Sequence, residues 1–85
     1  MATTTTTPGG AALRELRIEL GLTQDQLSVK AHVNQGHISL IENGRRPLTA
    51  EIAMRICRRC NVDPGRLLPF VELGGYLTGS DLVAA

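Results

Sequence analysis

The 85-residue sequence predicts an all-α fold, a compact single-domain bundle of five short helices. Three observations carry that expectation. Apolar residues recur at spacings of three and four. Stop and start residues separate the periodic stretches: Gly21 then Thr23, Gly44 then Thr49, Asn61 then Asp63 and Pro64. The length, about half that of a usual domain, leaves room for one core and one site.

Residues 1–10, with five consecutive threonines followed by Pro8, Gly9 and Gly10, read as a disordered segment with nothing to bury. It carries no charge, which disfavours an arm that enters a DNA groove and favours a linker or free end. The first helix starts at Ala11 and places Leu13, Leu16 and Leu20 on one face; Gly21 stops it. Thr23 and Gln26 form a capping box that opens the second helix, Gln24 to about Ala31. After His32 and Val33, Asn34 caps a third helix from Gln35 to about Asn43, with Ile38 and Ile41 on its inner side. Gly44 ends that helix, and Arg45, Arg46 and Pro47 form a basic loop. Thr49 caps the fourth helix, whose inner face takes Ala50, Ala53, Ile56, Cys57 and Cys60. Asn61 closes it at positive φ, and Asp63-Pro64 starts a short fifth helix through Leu67 and Leu68. Residues 11–68 thus form the domain. Residues 69–85 form a tail too apolar to be purely solvated, read either as a dimerisation element or as a frayed end covering the core.

Composition narrows the functions available. The hydrophobic share of 42% with 20% charged residues fits a folded globular chain. With no Trp, one Phe (Phe70) and one Tyr (Tyr76), there is no aromatic platform for stacking single-stranded bases. The net charge of +1 is too small for grip by bulk charge, but residues 14–66 hold nine cations against six acids, a local balance of +3 compatible with a polyanionic partner. No apolar run approaches the roughly 20 residues of a membrane span, and no cation precedes Arg14, so neither a membrane helix nor a signal peptide is expected and the protein is placed in the cytoplasm. Cys57 and Cys60 spell C-x-x-C, but a structural zinc needs four ligands, and His32 and His37 do not stand at a knuckle spacing. The two cysteines read as buried apolar thiols, with a metal or thiol switch as the rival, and no metal or cofactor is expected. No nucleophile, base or acidic pair suggests catalysis.

Two short helices joined by a three-residue turn cross steeply, so the second of them, starting at Gln35, protrudes and can enter a major groove. The stretch from Leu13 to Leu68 resembles the helix-turn-helix family of lambdoid phage repressors, Cro proteins and related XRE-type bacterial regulators. The resemblance rests on Gly21-Leu22-Thr23-Gln24, Leu27, the Val33, Ile38 and Ile41 series, Glu42-Asn43-Gly44 with Arg45-Arg46-Pro47, and Cys60-Asn61-Val62-Asp63-Pro64. Two positions depart from it. His32 stands where the family has a turn glycine, so the turn must hold a side chain, with positive φ open to it. Ser28 replaces a small alanine.

The resemblance implies a lambda-repressor-like DNA-binding domain that acts as a sequence-specific transcriptional regulator, a repressor before an activator. Its partner is a double-stranded DNA operator, bound as a homodimer with half-sites about 34 Å apart. Gln24 and Asn43 match positions that bond phosphates, with a plain surface glutamine as the rival for Gln24, and Arg45 and Arg46 can clamp the backbone or simply form a solvated loop. Base reading falls to Gln35, Gly36, Ser39 and Leu40, which project away from Ile38 and Ile41. Gln35 can pair with an adenine edge through both amide atoms. His37 reads equally as a phosphate or base contact and as a structural histidine. Arg17 and Glu42 occupy positions of a buried ion pair in the family, with an exposed pair as the alternative. The competing function is a protein-interaction or antitoxin-like module on the same fold, with Gly36 and Leu40 marking lost base readout.

Overall fold

A computed structural model describes residues 7–71. Four α-helices, α1 (Pro8–Glu19), α2 (Gln24–Ala31), α3 (Gln35–Glu42) and α4 (Ala50–Cys60), are followed by two 3-10 turns, Pro64–Arg66 and Leu68–Phe70. There is no strand among the described residues, and none of their helices is long and apolar enough to cross a membrane. The described residues form an all-helical fold; its fifth helical element is wound as 3-10 turns because Asp63 caps Gly65 and Pro69 interrupts any longer run.

The first helix begins three residues earlier than its apolar period suggests. Thr7 is the N-cap, its hydroxyl accepting from the Gly10 backbone N–H at 3.0 Å, and Pro8 occupies the first turn, where its missing N–H costs nothing. Pro8, Gly9 and Gly10 therefore belong to α1 and not to a disordered segment, which corrects the reading of that part of residues 1–10; residues 1–6 lie outside the described residues. Glycine is suited to this turn by close packing. A Cβ on Gly9 would come 2.8 Å from the Phe70 carbonyl oxygen and 2.9 Å from Leu48 Cβ. Ordered structure continues past Leu68 through Phe70 to Val71, which packs partly buried on the core. The remainder of the tail, from Glu72, lies outside the described residues.

The core is aliphatic and drawn from every element: Leu13 and Leu16 of α1, Leu27 and Ala31 of α2, Val33 of the turn, Ile38 and Ile41 of α3, Ala53, Ile56, Cys57 and Cys60 of α4, and Leu67. Each fully buried Leu or Ile contributes about 1.5 to 3 kcal/mol relative to exposure. Leu48 is buried as deeply, although it sits in a loop with no period to announce it. Ala50 is exposed, contrary to its assignment to the inner face of α4, because it follows the cap directly and precedes the first inward turn. The capping box is reciprocal: Gln26 N–H donates to Thr23 Oγ1 (3.0 Å), and Thr23 N–H donates to Gln26 Oε1 (2.9 Å). Asn61 closes α4 at φ 60°, and Gly44 follows α3 at φ 77°.

Candidate nucleic-acid interface

The turn between α2 and α3 is built on His32, which adopts φ 58° and ψ 43°, a left-handed conformation normally given to glycine. Arg55 of α4 reaches across to this turn, its Nη1 donating to the His32 carbonyl at 3.3 Å. Val33 then plugs the core, and Asn34 caps α3 by accepting from the Gly36 and His37 N–H groups at 2.8 and 3.3 Å. Gly36 has a local reason for its small size, since a Cβ there would sit 3.1 Å from the capping oxygen of Asn34.

Ile38 and Ile41, both fully buried, seat α3 on its neighbours and fix which side faces outward. Gln35 and Gly36 are exposed, and His37, Ser39 and Leu40 are half-buried. Asn43, at the end of the helix, is exposed and donates to Ser39 Oγ at 3.5 Å. The Leu40 carbonyl accepts from the N–H groups of Arg45 (2.8 Å) and Arg46 (3.2 Å), so the loop folds back on the end of α3 and holds two exposed cations there.

Behind this outer side lies a polar chain that joins three helices. Arg17 of α1 makes a two-pronged contact with Glu42 of α3: Nε to Oε2 at 2.7 Å and Nη2 to Oε1 at 3.0 Å. The Glu42 side chain is 2% exposed and that of Arg17 14%. The hydrogen bond to Glu42 holds the Arg17 guanidinium above its usual pKa, against the opposing effect of burial. The third prong, Arg17 Nη1, donates to the Leu22 carbonyl at 3.0 Å and ties in the link between α1 and α2. From Glu42 the chain continues outward. Gln24 Nε2 donates to Glu42 Oε1 (3.1 Å), and Gln35 Nε2 donates to Gln24 Oε1 (3.0 Å). A buried ion pair is thereby connected, through the Gln24 amide, to the exposed Gln35 side chain at the start of α3.

Sequence reasoning names Gln24 and Gln35 separately but not their bond to each other. The available signal is that both directly follow an N-cap, in consecutive helices joined by a three-residue turn. The Arg55 contact carries no sequence signal. Cys57 and Cys60 are buried thiols, pushed above their usual pKa chiefly by burial. Among the described residues no group of three or more His, Cys, Asp or Glu side chains is placed to hold a metal.

Comparisons with known proteins show the family and the fold. Residues 13–67 match the HTH_3 family model, described as helix-turn-helix. The propionyl-CoA carboxylase regulator of Cereibacter sphaeroides is 34% identical over 58 residues, 68% of this chain but only 13% of that protein. Among solved structures, the clp gene regulator ClgR from C. glutamicum superposes with a TM-score of 0.65 at 26% identity, over 86% of this chain and 92% of that one. The restriction-modification controller protein C.AhdI from Aeromonas hydrophila gives a TM-score of 0.66 at 24% identity, over 73% and 94%, a likeness of fold. With the family model spanning well over half of its length and the two-helix unit built as described, this chain belongs to the HTH_3 helix-turn-helix family of DNA-binding transcription regulators.

Proposed function

We propose that the protein is a sequence-specific regulator of transcription, acting in the cytoplasm as a homodimeric repressor that reads the major groove of double-stranded DNA with α3. The observation that carries this reading is the hydrogen-bonded chain from Arg17 and Glu42 through Gln24 to Gln35. It fixes the orientation of an exposed amide whose carbonyl and second N–H remain able to address an adenine edge, worth about 1 to 3 kcal/mol of discrimination. Gln24, one of whose amide hydrogens is engaged by Glu42, bonds a phosphate with the other, near the positive end of α2. Asn43, Arg45 and Arg46 hold the backbone at the opposite end of α3, with His37 as a further contact beside the groove. Gly36, Ser39 and Leu40 complete the reading side, with the Leu40 side chain suited to a thymine methyl.

An eight-residue helix with so few polar readers gains little affinity alone, which favours two subunits on a palindrome with half-sites about 34 Å apart. Occupying the groove of a promoter excludes other proteins from it, which is why repression is the favoured sign. Selection of bound sites from a random duplex pool tests the proposal. It should recover a two-fold operator, with log affinity falling against log salt by about 0.9 for each phosphate contact. Gln35→Ala should relax preference at one base pair, whereas Arg46→Ala should weaken all sequences alike. A flat salt response, or no bound duplex, would favour the protein-interaction module on the same fold.

A further inference from the structure

A second concentration of positive charge lies away from the reading side. Lys30 is in the last turn of α2, and Arg58 and Arg59 are in the last turn of α4. The three side chains line an open depression of about 380 Å³. The ends of these helices are close enough for the Lys30 charge to act on the Cys60 thiol, opposing its burial-driven rise. Ion pairs among the described residues join Arg17 to Glu42, Arg55 to Glu51 and Arg66 to Glu19, and leave these three cations out. Asp63, the nearest acid along the chain, accepts from the Gly65 N–H at 3.3 Å.

Cations in a last helical turn ordinarily offset the helix dipole, which is worth roughly half a unit charge at each C-terminus. Two such termini account for about one of the three charges, and the Asp63 carboxylate, which lines a neighbouring depression with Arg58, offsets about one more, leaving an excess near +1. Position separates this excess from the proposed DNA contact. α2 begins at Gln24, bonded to Gln35, and α4 begins just past the Arg45-Arg46 loop. At 1.5 Å per residue, Lys30 lies about 9 Å along α2, and Arg58 and Arg59 about 12 to 14 Å along α4, from those starts.

The chemistry selects among anions. Phosphates are bound best where helix N-termini supply backbone N–H groups, and here both helices present carbonyl ends. A duplex would call for a longer row of cations, on the order of 6 to 10 phosphate contacts. Two planar guanidinium forks and one ammonium instead suit two or three carboxylates on a flexible chain. We infer that Lys30, Arg58 and Arg59 form a docking site for an acidic polypeptide segment of a partner protein. On the proposed reading of α3, this site lies toward the ends of α2 and α4 remote from the DNA contacts.

The probe is a fluorescein-labelled dodecapeptide of alternating glutamate and glycine, followed by anisotropy with the full chain at low salt, beside a control peptide with glutamine for glutamate. The acidic peptide should bind at least about tenfold more tightly than the control. The triple variant Lys30→Gln, Arg58→Gln, Arg59→Gln should lose that preference, and Arg59→Gln alone should lose part of it, with unchanged circular dichroism melts. Affinity of the triple variant for the selected operator should stay within about twofold of the parent. Equal peptide binding by parent and triple variant would overturn the inference. So would an equal loss of operator affinity, or displacement of the peptide by inorganic phosphate or random duplex at matched charge more readily than by unlabelled acidic peptide. The peptide arm contains no DNA, so its outcome is independent of whether α3 reads an operator.

Discussion

Glu42 is nine-tenths or more buried on the side of α3 opposite its exposed edge, and its carboxylate meets cationic and amide donors from two other helices. Desolvation offsets most of the Coulomb attraction in such a pair, so its presence adds little net stability. Its removal by halves is different. Glu42→Gln leaves Arg17 charged and poorly solvated, and should lower unfolding stability by about 3 to 5 kcal/mol in urea titrations. Replacing both residues by Met should recover much of that loss while loosening the orientation of Gln35, which would appear as weaker sequence preference in binding assays. The two core thiols give a prediction in pH. Their folded pKa values lie above the ordinary 9.0, so the native state keeps protons that the unfolded chain releases. Their contribution is complete below about pH 9 and is lost as pH rises through the folded values. The melting temperature should therefore fall in alkaline buffer, and Cys57→Ala with Cys60→Ala should flatten the fall while lowering stability at neutral pH through the lost volume.

Among the elements, α2, α3 and α4 are legible because caps, apolar period and stop residues agree within short windows. Thr23 with Gln26, Asn34, and Thr49 each act on an N–H two or three residues away, so local sequence contains the whole interaction. The start of α1 is not legible in that way. Gly9 and Gly10 lower helix propensity, and what favours Gly9 is its close approach to Leu48 and the Phe70 carbonyl, some forty and sixty positions away. Leu48 escapes for the same reason, since one residue in a Pro-containing loop has no period to reveal which way it faces. Gly9→Ala tests this account. Helix propensity alone would make the change stabilising by up to about 1 kcal/mol. The close approach to backbone and side chain should reverse the sign, destabilising by about 1 to 3 kcal/mol in chemical denaturation and shifting the Phe70 turn in amide spectra. A stabilised variant would show that the α1 start is looser than described.

At the level of the whole molecule, the components of the candidate site could be named from sequence, but their coupling could not. Which amide bonds which depends on the angle at which α2 meets α3, and that angle follows from a left-handed His32 turn gripped by Arg55, a contact between residues 23 positions apart. The same limit applies to assembly. The described core from α1 to Val71 closes on itself, with Leu13, Ile38, Ile41, Ile56 and Leu67 fully buried. If the tail supplies the dimer contact, a chain ending at Val71 should keep its helical content and cooperative melt yet sediment as a monomer. Its affinity for a single half-site should stay near that of the full chain. For the palindromic operator it should fall by about 10² to 10⁴, because two linked contacts become two independent ones. Sedimentation velocity with gel shifts on one-half-site and two-half-site duplexes distinguishes the cases. A truncated chain that still sediments as a dimer would move the interface onto the described helices, where Ile18 and Phe70, 56% and 42% exposed, are the apolar side chains to replace first.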